Sequence, residues 1–190
     1  MHNKSVYFAA LVVVMQGLFS GCSHTPKSII TCKRQVESRT DTSSDYSIEL
    51  PFGWHEVAKF EDVKRQAFWG FSNSDGLQPL YRAWSAPESE HAFLAIMQER
   101  LKKNSNIGNY YKEAIQWIRN AGWIIQDSGN AKIDDKYCKW WIQSRSNGDL
   151  HQLCYLIGYG SDVYVLAFTT TSLSLEKQKL FNKIAQTITF

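Results

Sequence analysis

Apolar and polar positions alternate along much of the chain from residue 46 onward, and this period of two predicts β-strands. Tyr46, Ile48 and Leu50, for example, alternate with polar residues, as in a strand with one buried face. Residues 163–169 are instead apolar on both faces, which predicts a strand at the centre of a sheet. We predict strands at residues 46–50, 54–57, 67–71, 80–84, 123–125, 137–144, 150–157 and 163–169.

A period of 3.6 residues predicts three helices. The first follows a capping box at Ser85–Glu88, the second covers residues 109–121 and ends at Gly122, and Ser174 caps the third. The inward stripes of these helices are Phe93, Leu94, Met97 and Leu101; Tyr111, Ala114, Ile115 and Ile118; and Leu180, Phe181, Ile184 and Ile188.

The strongest hairpin signal is Asn147-Gly148, which lies between two predicted strands. A two-residue turn at this point sets Cys154 opposite Trp141 and Cys138 opposite Ile157. Cys138 and Cys154 then lie on opposite faces of the sheet, because side chains alternate along a strand. A disulfide bond needs Cα atoms within about 7 Å, so we expect no bridge between these two cysteines.

The first 22 residues have the order of a secretory signal. Lys4 supplies a positive charge, Val6–Met15 is almost wholly apolar, and small residues come immediately before Cys22. The apolar run is too short for an ordinary transmembrane helix. The Ser-Gly-Cys ending resembles the lipobox of bacterial lipoproteins, in which the cysteine is acylated and the chain is cut before it, although Phe19 lies where Leu is usual. The alternative is an uncleaved N-terminal anchor.

This interpretation divides the chain into a signal peptide at residues 1–21, a lipidated tether at 22–45 and a folded domain at 46–190. Each buried CH₂ of an acyl chain contributes about 0.8 kcal/mol, and two or more chains give a stable membrane anchor. Because Ser23 rather than Asp follows Cys22, the lipoprotein sorting rule favours the outer membrane over the inner one. We therefore expect a protein of the bacterial cell envelope that is lipid-anchored through Cys22 and faces the periplasm.

The length and charge of the mature chain limit its class. Removal of 21 of 190 residues leaves 169, which is enough for one domain with a buried core. The removed segment has one Lys and no acidic residue, so the formal net charge falls from +3 to +2. This charge is too small to indicate a nucleic-acid partner. The partners that we expect are the lipid bilayer and another protein.

Three cysteines remain for an oxidising compartment once Cys22 is acylated. Since Cys138 and Cys154 are predicted on opposite faces, any bridge has to include Cys32. We predict a Cys32–Cys154 bridge in preference to Cys32–Cys138, because the strand with Cys154 neighbours the central one. The alternative is three buried free thiols.

No motif for catalysis or metal binding is present in the sequence. The chain contains no Gly-x-Ser-x-Gly, no His-Glu-x-x-His and no phosphate-binding loop. His55, His91 and His151 are scattered along the chain, and Asp134-Asp135 is interpreted as a solvated turn. We therefore expect no catalytic residue, no metal and no cofactor.

The adjacent Trp140 and Trp141 are the candidate partner-binding residues. Their side chains point to opposite faces of the predicted strand, so one packs under a helix while the other faces a groove or the second helix layer. Trp and Tyr are concentrated at the energetic centres of protein interfaces. The alternative is that both tryptophans only fill the core.

The order of elements resembles the PsbP-like superfamily, and within it the DcrB-type bacterial lipoproteins. The resemblance covers Tyr46–Phe190 and depends on the opening Tyr46–Trp54 (YSIELPFGW), the closing strand Tyr164–Thr170 and the helix Lys179–Ile184. It implies an α+β fold, an α/β/α sandwich with a central, mostly antiparallel sheet. Members are mostly binding or assembly proteins, which attach to photosystem II, a small GTPase or secreted type VI effectors.

None of those functions depends on residues that can be matched in this chain. Our first hypothesis is a non-catalytic, membrane-anchored lipoprotein whose sandwich domain binds a protein partner. The second is an immunity lipoprotein that neutralises a toxin delivered to the periplasm by type VI secretion. An enzyme of unknown type is the least favoured alternative.

Overall fold

The computed structural model describes residues 38–43, 45–57, 80–102 and 104–190. A seven-stranded sheet forms the centre of the fold, with the strand order β3-β4-β5-β9-β8-β7-β6 and antiparallel pairing throughout. Its strands are β3 (His55–Glu56), β4 (Leu80–Ser85), β5 (Ala92–Arg100), β6 (Trp123–Ile133), β7 (Lys136–Arg145), β8 (His151–Tyr159) and β9 (Asp162–Thr170). A separate hairpin consists of β1 (Ser38–Thr42) and β2 (Ser47–Pro51).

Two helices pack on the sheet, one on each face. Helix α1 (Ile107–Asn120) covers a core that includes Ala95, Trp141 and Val165. Helix α2 (Leu175–Ala185) covers the opposite core together with β2. The predicted α/β/α sandwich with an antiparallel central sheet is therefore confirmed.

The predicted central strand and hairpin register are both confirmed. β9 is the fourth of the seven strands and is buried from Val163 to Thr170. In the β7–β8 hairpin, Cys138 pairs with Ile157 and Trp141 pairs with Cys154, as the turn at Asn147-Gly148 predicts. Both cysteines have free thiols, and they contribute to different cores on opposite faces of the sheet.

The predicted helix after Ser85 is wrong. Only a single turn of 3₁₀-helix forms, at Glu88–Glu90, and the apolar residues that follow belong to β5. β5 pairs with β4 on one side and β9 on the other, and its side chains enter both cores. A strand buried on both faces has a continuous apolar run, and such a run contains helical spacings by chance.

The folded domain also begins earlier than the sequence pattern suggests. Ser38–Thr42, which the sequence assigns to the tether, forms a strand that pairs with β2 over five residues. Its described side chains are exposed, so main-chain hydrogen bonds, and not apolar burial, hold it in place. After β2, Gly53 adopts a positive φ of 87° and the chain buries Trp54. The predicted strand at residues 67–71 lies outside the described residues.

Candidate binding groove

A groove of about 320 Å³ lies between helix α2 and the outer strands β6, β7 and β8. One wall is the helix, and the floor is the face of the sheet that α2 leaves uncovered near the edge strand. This volume is at the lower end of the range for sites that hold small molecules, about 300–1,000 Å³. The lining residues are Asp127, Ala131, Trp140, Ile142, Leu153, Tyr155, Gln178, Asn182 and Gln186.

Trp140 and Gly129 together shape the floor. Gly129 is the direct cross-strand partner of Trp140. A Cβ atom at Gly129 would lie 2.8 Å from Nε1 of Trp140 and 2.9 Å from both Cε2 and Cζ2. The indole therefore lies directly against the backbone of β6, in space that only glycine leaves free. Ile142 and Leu153, which are partners in the β7–β8 ladder, continue the apolar floor beside it.

The helix wall is a row of three uncharged amides. Gln178, Asn182 and Gln186 are four residues apart, so they share one face of α2. Helix α2 takes this position because Phe181, Ile184 and Ala185 are buried in the core, which turns the amide face toward the groove. Its start is fixed by Ser174, whose side chain accepts a hydrogen bond from the Lys177 N–H, as predicted.

Two hydrogen bonds tie the helix wall to the sheet. The Tyr155 hydroxyl donates to Oδ1 of Asn182 at the centre of the groove. At one end, Nε2 of Gln186 donates to the main-chain oxygen of Lys132 in β6 over 3.2 Å. Within the described part of the chain, the Gln178 side chain has no such bond. The groove is therefore braced at its middle and at the Gln186 end.

Exposed apolar side chains lie toward the other end. Leu175, which is 61% exposed, precedes Gln178 by three residues and so continues the same helix face. Ile124, which is 53% exposed, pairs with Ser144, two residues from Ile142. Because cross-strand partners share a face of the sheet, Ile124 projects on the groove side. The groove thus has an open apolar end.

The lining has little charge. Among the described residues that form it, Asp127 is the one ionised group, and its Oδ1 accepts a hydrogen bond from the Ser128 N–H. Burial raises the pKa of Tyr155 above its usual range, so this phenol stays protonated and remains a donor. The site therefore offers amide and hydroxyl hydrogen bonds with a single negative charge.

The titratable residues that the sequence singled out do not converge here. His55 is exposed on β3, His91 is exposed in a left-handed turn, and His151 is half-buried on β8. Among the described residues, no group of three or more His, Cys, Asp and Glu is placed to hold a metal ion.

The Asp134-Asp135 turn is present, with positive φ at both residues, and has an additional contact. The Asp134 carboxylate accepts hydrogen bonds from Lys136 and from the Phe190 N–H, and these lower its pKa. The turn therefore helps to hold the segment that follows α2.

The two candidate tryptophans have different environments. Trp140 lines the groove, whereas Trp141 is fully buried beneath α1, with its ring in edge contact with Tyr111. The Trp141 indole N–H donates to Gln143, which donates to Gln152, which in turn donates to Thr169. Trp141 is therefore a core residue and contributes nothing to an exposed surface.

The predicted Cys22 lipidation site and the Cys32 end of the predicted bridge lie outside the described residues. Cys154 is 2% exposed, and burial raises its pKa, while the pKa of the buried Cys138 is raised to about 11 by the same cause. In the part of the chain that the structure describes, no helix has the length and hydropathy needed to cross a membrane.

The amide row is the part of the site that sequence reasoning missed. Gln178, Asn182 and Gln186 lie outside the apolar stripe predicted for this helix, so the sequence pattern alone gives them no role. Their four-residue spacing shows in the sequence that they share one helix face. That this face lines a groove follows only from the position of α2 beside Trp140.

Comparison with known proteins concerns the fold. No protein-family model matches the chain, and a search of curated proteins finds no match. The solution structure of cyanobacterial PsbP (CyanoP) from Synechocystis sp. PCC 6803 is similar with a TM-score of 0.53 and 10% identity, covering 80% of this chain and 91% of that one.

Two further solved structures are similar. PA94 from Pseudomonas aeruginosa, described as a protein of unknown function, has a TM-score of 0.51 and 12% identity, over 79% of this chain and 94% of its own. LpqN, described as involved in cell envelope biogenesis of Mycobacterium tuberculosis, has a TM-score of 0.47 and 15% identity, over 80% and 90% of the two chains. At these identities the likeness concerns the fold.

Proposed function

The chain has the PsbP-like fold, and on that premise we propose that it is a non-catalytic, lipid-anchored envelope protein that binds a protein partner in the groove beside α2. The observation that supports this proposal is the composition of the groove. It combines a half-buried indole, an apolar floor and a row of neutral amides in one open channel. These groups bind by packing and by hydrogen bonds.

The same composition is poorly suited to chemistry. General acid–base catalysis needs titratable groups within hydrogen-bond reach of a reacting atom, with pKa values near the working pH. The described lining has one carboxylate, Asp127, and one phenol, Tyr155, whose pKa is raised away from neutrality. The proposed work of the groove is therefore recognition.

The location rests on the N-terminal sequence. Acylated Cys22 would hold the chain on the periplasmic side of a membrane, with the outer membrane favoured. The residues between Cys22 and Ser38, the first residue of β1, would link the lipid anchor to the domain.

Site-specific photocross-linking in the native membrane tests the proposal. A photoreactive amino acid replaces Leu175 at the open end of the groove in the full-length protein, and in a second variant it replaces Trp117. Trp117 is 47% exposed on α1, which packs on the opposite face of the sheet.

We expect one discrete protein adduct from position 175 and a different pattern, or none, from position 117. The position-175 adduct should weaken when Trp140→Ala is added to the same protein. The same adduct from both positions, or no adduct from position 175, would show that the groove is not the partner site.

A further inference from the structure

The spacing of the amide row matches the repeat of an extended polypeptide. Gln178, Asn182 and Gln186 are separated by four residues each, which is about 6 Å along a helix that rises 1.5 Å per residue. An extended strand presents an N–H and a C=O group to the same side at every second residue, about 6.6–6.8 Å apart. Successive amides can therefore meet main-chain groups of successive repeats, and the flexible Gln side chains absorb the small mismatch.

The hydrogen bonds that Asn182 and Gln186 make within the protein still leave amide donors and acceptors available for a bound peptide. Oδ1 of Asn182 accepts from Tyr155, so its NH₂ group remains to donate to a main-chain oxygen. Nε2 of Gln186 donates to Lys132, so its oxygen remains to accept from a main-chain N–H. The Gln178 side chain can do both. The row thus offers both donors and acceptors to a peptide main chain.

The apolar floor of the groove and the carboxylate of Asp127 determine which side chains a bound segment can carry. Successive side chains of an extended segment point in opposite directions, so every second one faces Trp140, Ile142 and Leu153. These positions suit apolar residues. Because Asp127 is a carboxylate at the groove, an acidic residue in the segment would meet a like charge, whereas a neutral or basic residue would not.

We propose that the groove holds an extended segment of the partner protein, apolar at alternate positions and without acidic residues, through main-chain hydrogen bonds to Gln178, Asn182 and Gln186. The proposal rests on the proposed function, because it names the kind of segment bound at that same site. The lining residues of β6 run from Asp127 to Ala131, four residue steps or about 13 Å, and the amide row from Gln178 to Gln186 spans about 12 Å, so the groove matches four to five residues of extended chain.

Selection from a displayed library of random ten-residue peptides tests the inference. The mature protein is immobilised through its N-terminus, and the Gln178→Met plus Asn182→Leu double variant serves as the parallel target. These substitutions keep side-chain size close to the original and remove the amides. We expect the wild-type protein to enrich peptides with alternate apolar residues and few Asp or Glu, and the double variant to lose that enrichment.

Titration calorimetry on the best enriched peptide then tests whether the peptide binds through main-chain hydrogen bonds. Methylation of the two backbone nitrogens predicted to face α2 should weaken binding by about tenfold for each hydrogen bond removed, while methylation of nitrogens on the other edge should have little effect. Circular dichroism confirms that the double variant is folded. Equal effects of methylation on both edges, or enrichment of acidic or non-alternating peptides, would overturn the main-chain mode.

The outcomes separate this inference from the proposed function. If photocross-linking at position 175 captures a partner but the methylation result is negative, the groove is a partner site with another binding mode. If no peptide is enriched, the inference falls. Binding of chitotriose, used as a saccharide probe, with a perturbation of Trp140 would then identify the occupant as a glycan.

Discussion

Gly129→Ala tests the contact between β6 and the indole of Trp140. The added Cβ would lie 2.8–2.9 Å from three indole atoms, a separation that real Cβ atoms essentially never show. The atoms in conflict belong to a strand backbone on one side and a rigid ring on the other. No flexible side-chain end can give way, so the indole has to move out over the groove.

The change in the free energy of unfolding that we expect for Gly129→Ala is the difference between two opposing effects. Replacing a glycine inside a strand by alanine ordinarily stabilises by roughly 0.5–1 kcal/mol, because the unfolded chain loses freedom. Overpacking of a fitted site costs typically 1–3 kcal/mol. We therefore expect a net loss of about 1–2 kcal/mol, which corresponds to a fall of roughly 0.5–1 M in the urea midpoint for an m-value near 2 kcal/mol/M.

Urea unfolding followed by far-UV circular dichroism measures this loss without interference from the seven tryptophans. Gly158→Ala is the matched control. Gly158 also lies in a strand without positive φ, but its added Cβ would meet Cδ1 of Ile107 at 3.3 Å, the flexible end of a side chain. We expect this variant to be neutral or to stabilise the fold by up to about 1 kcal/mol, because the mild contact offsets only part of the ordinary gain from replacing a strand glycine.

A double-mutant cycle isolates the cause. With Trp140→Ala already present, Gly129→Ala should become neutral or stabilising, because the conflicting ring is gone. The reasoning would be refuted if Gly129→Ala left stability unchanged in the wild-type background, or if it cost the same amount with and without Trp140.

Three further predictions concern the anchor, the thiols and acid stability. Cys22→Ser should abolish acylation and move the protein from the membrane to the soluble fraction; an unprocessed, membrane-bound variant would instead indicate a transmembrane anchor. Peptide mapping without reduction should find no Cys138–Cys154 link, because the two thiols lie on opposite faces of the sheet; a linked peptide would show that the register is wrong. The pKa of Asp134 is lowered by its hydrogen bond to Lys136, so its stabilising effect is complete above its ordinary value of 3.8 and is lost as the pH falls through the lower folded-state value. The difference in urea midpoint between wild-type protein and Asp134→Asn should therefore narrow from about pH 6 to about pH 3, and an equal difference at both pH values would contradict this cause.

Local signals in the sequence predicted much of the fold. The Asn147-Gly148 turn set the pairing of β7 with β8 correctly, because a two-residue hairpin leaves only one register. The identity of β5 was missed, since whether an apolar run is a helix or a strand depends on the neighbours that bury it. The length of β6 was missed for a related reason. Its outer half, from Gln126 to Lys132, is a largely polar and exposed edge held by pairing with β7.

The site was predicted only in part. Strand alternation showed that Trp140 and Trp141 face opposite ways, and that is how they lie, with Trp141 buried under α1 and Trp140 in the groove. The position of the amide row beside Trp140 could not be predicted from the sequence. Trp140 and Gln178 are 38 residues apart, and no local pattern shows that they lie close together in the fold. Which edge of the sheet α2 covers is decided by burial of Phe181 and Ile184 against distant strands, a non-local result.

The position of β9 in the sheet has a consequence for folding during synthesis. β3, β4 and β5 form one half of the sheet and β6, β7 and β8 the other, and β9 alone joins them. Until Thr170 has left the ribosome, the chain consists of two incomplete ribbons, each lacking the strand that would seal its edge. Because the joining strand β9 comes late in the chain, neither half of the sheet can complete the core before β9 has been synthesised.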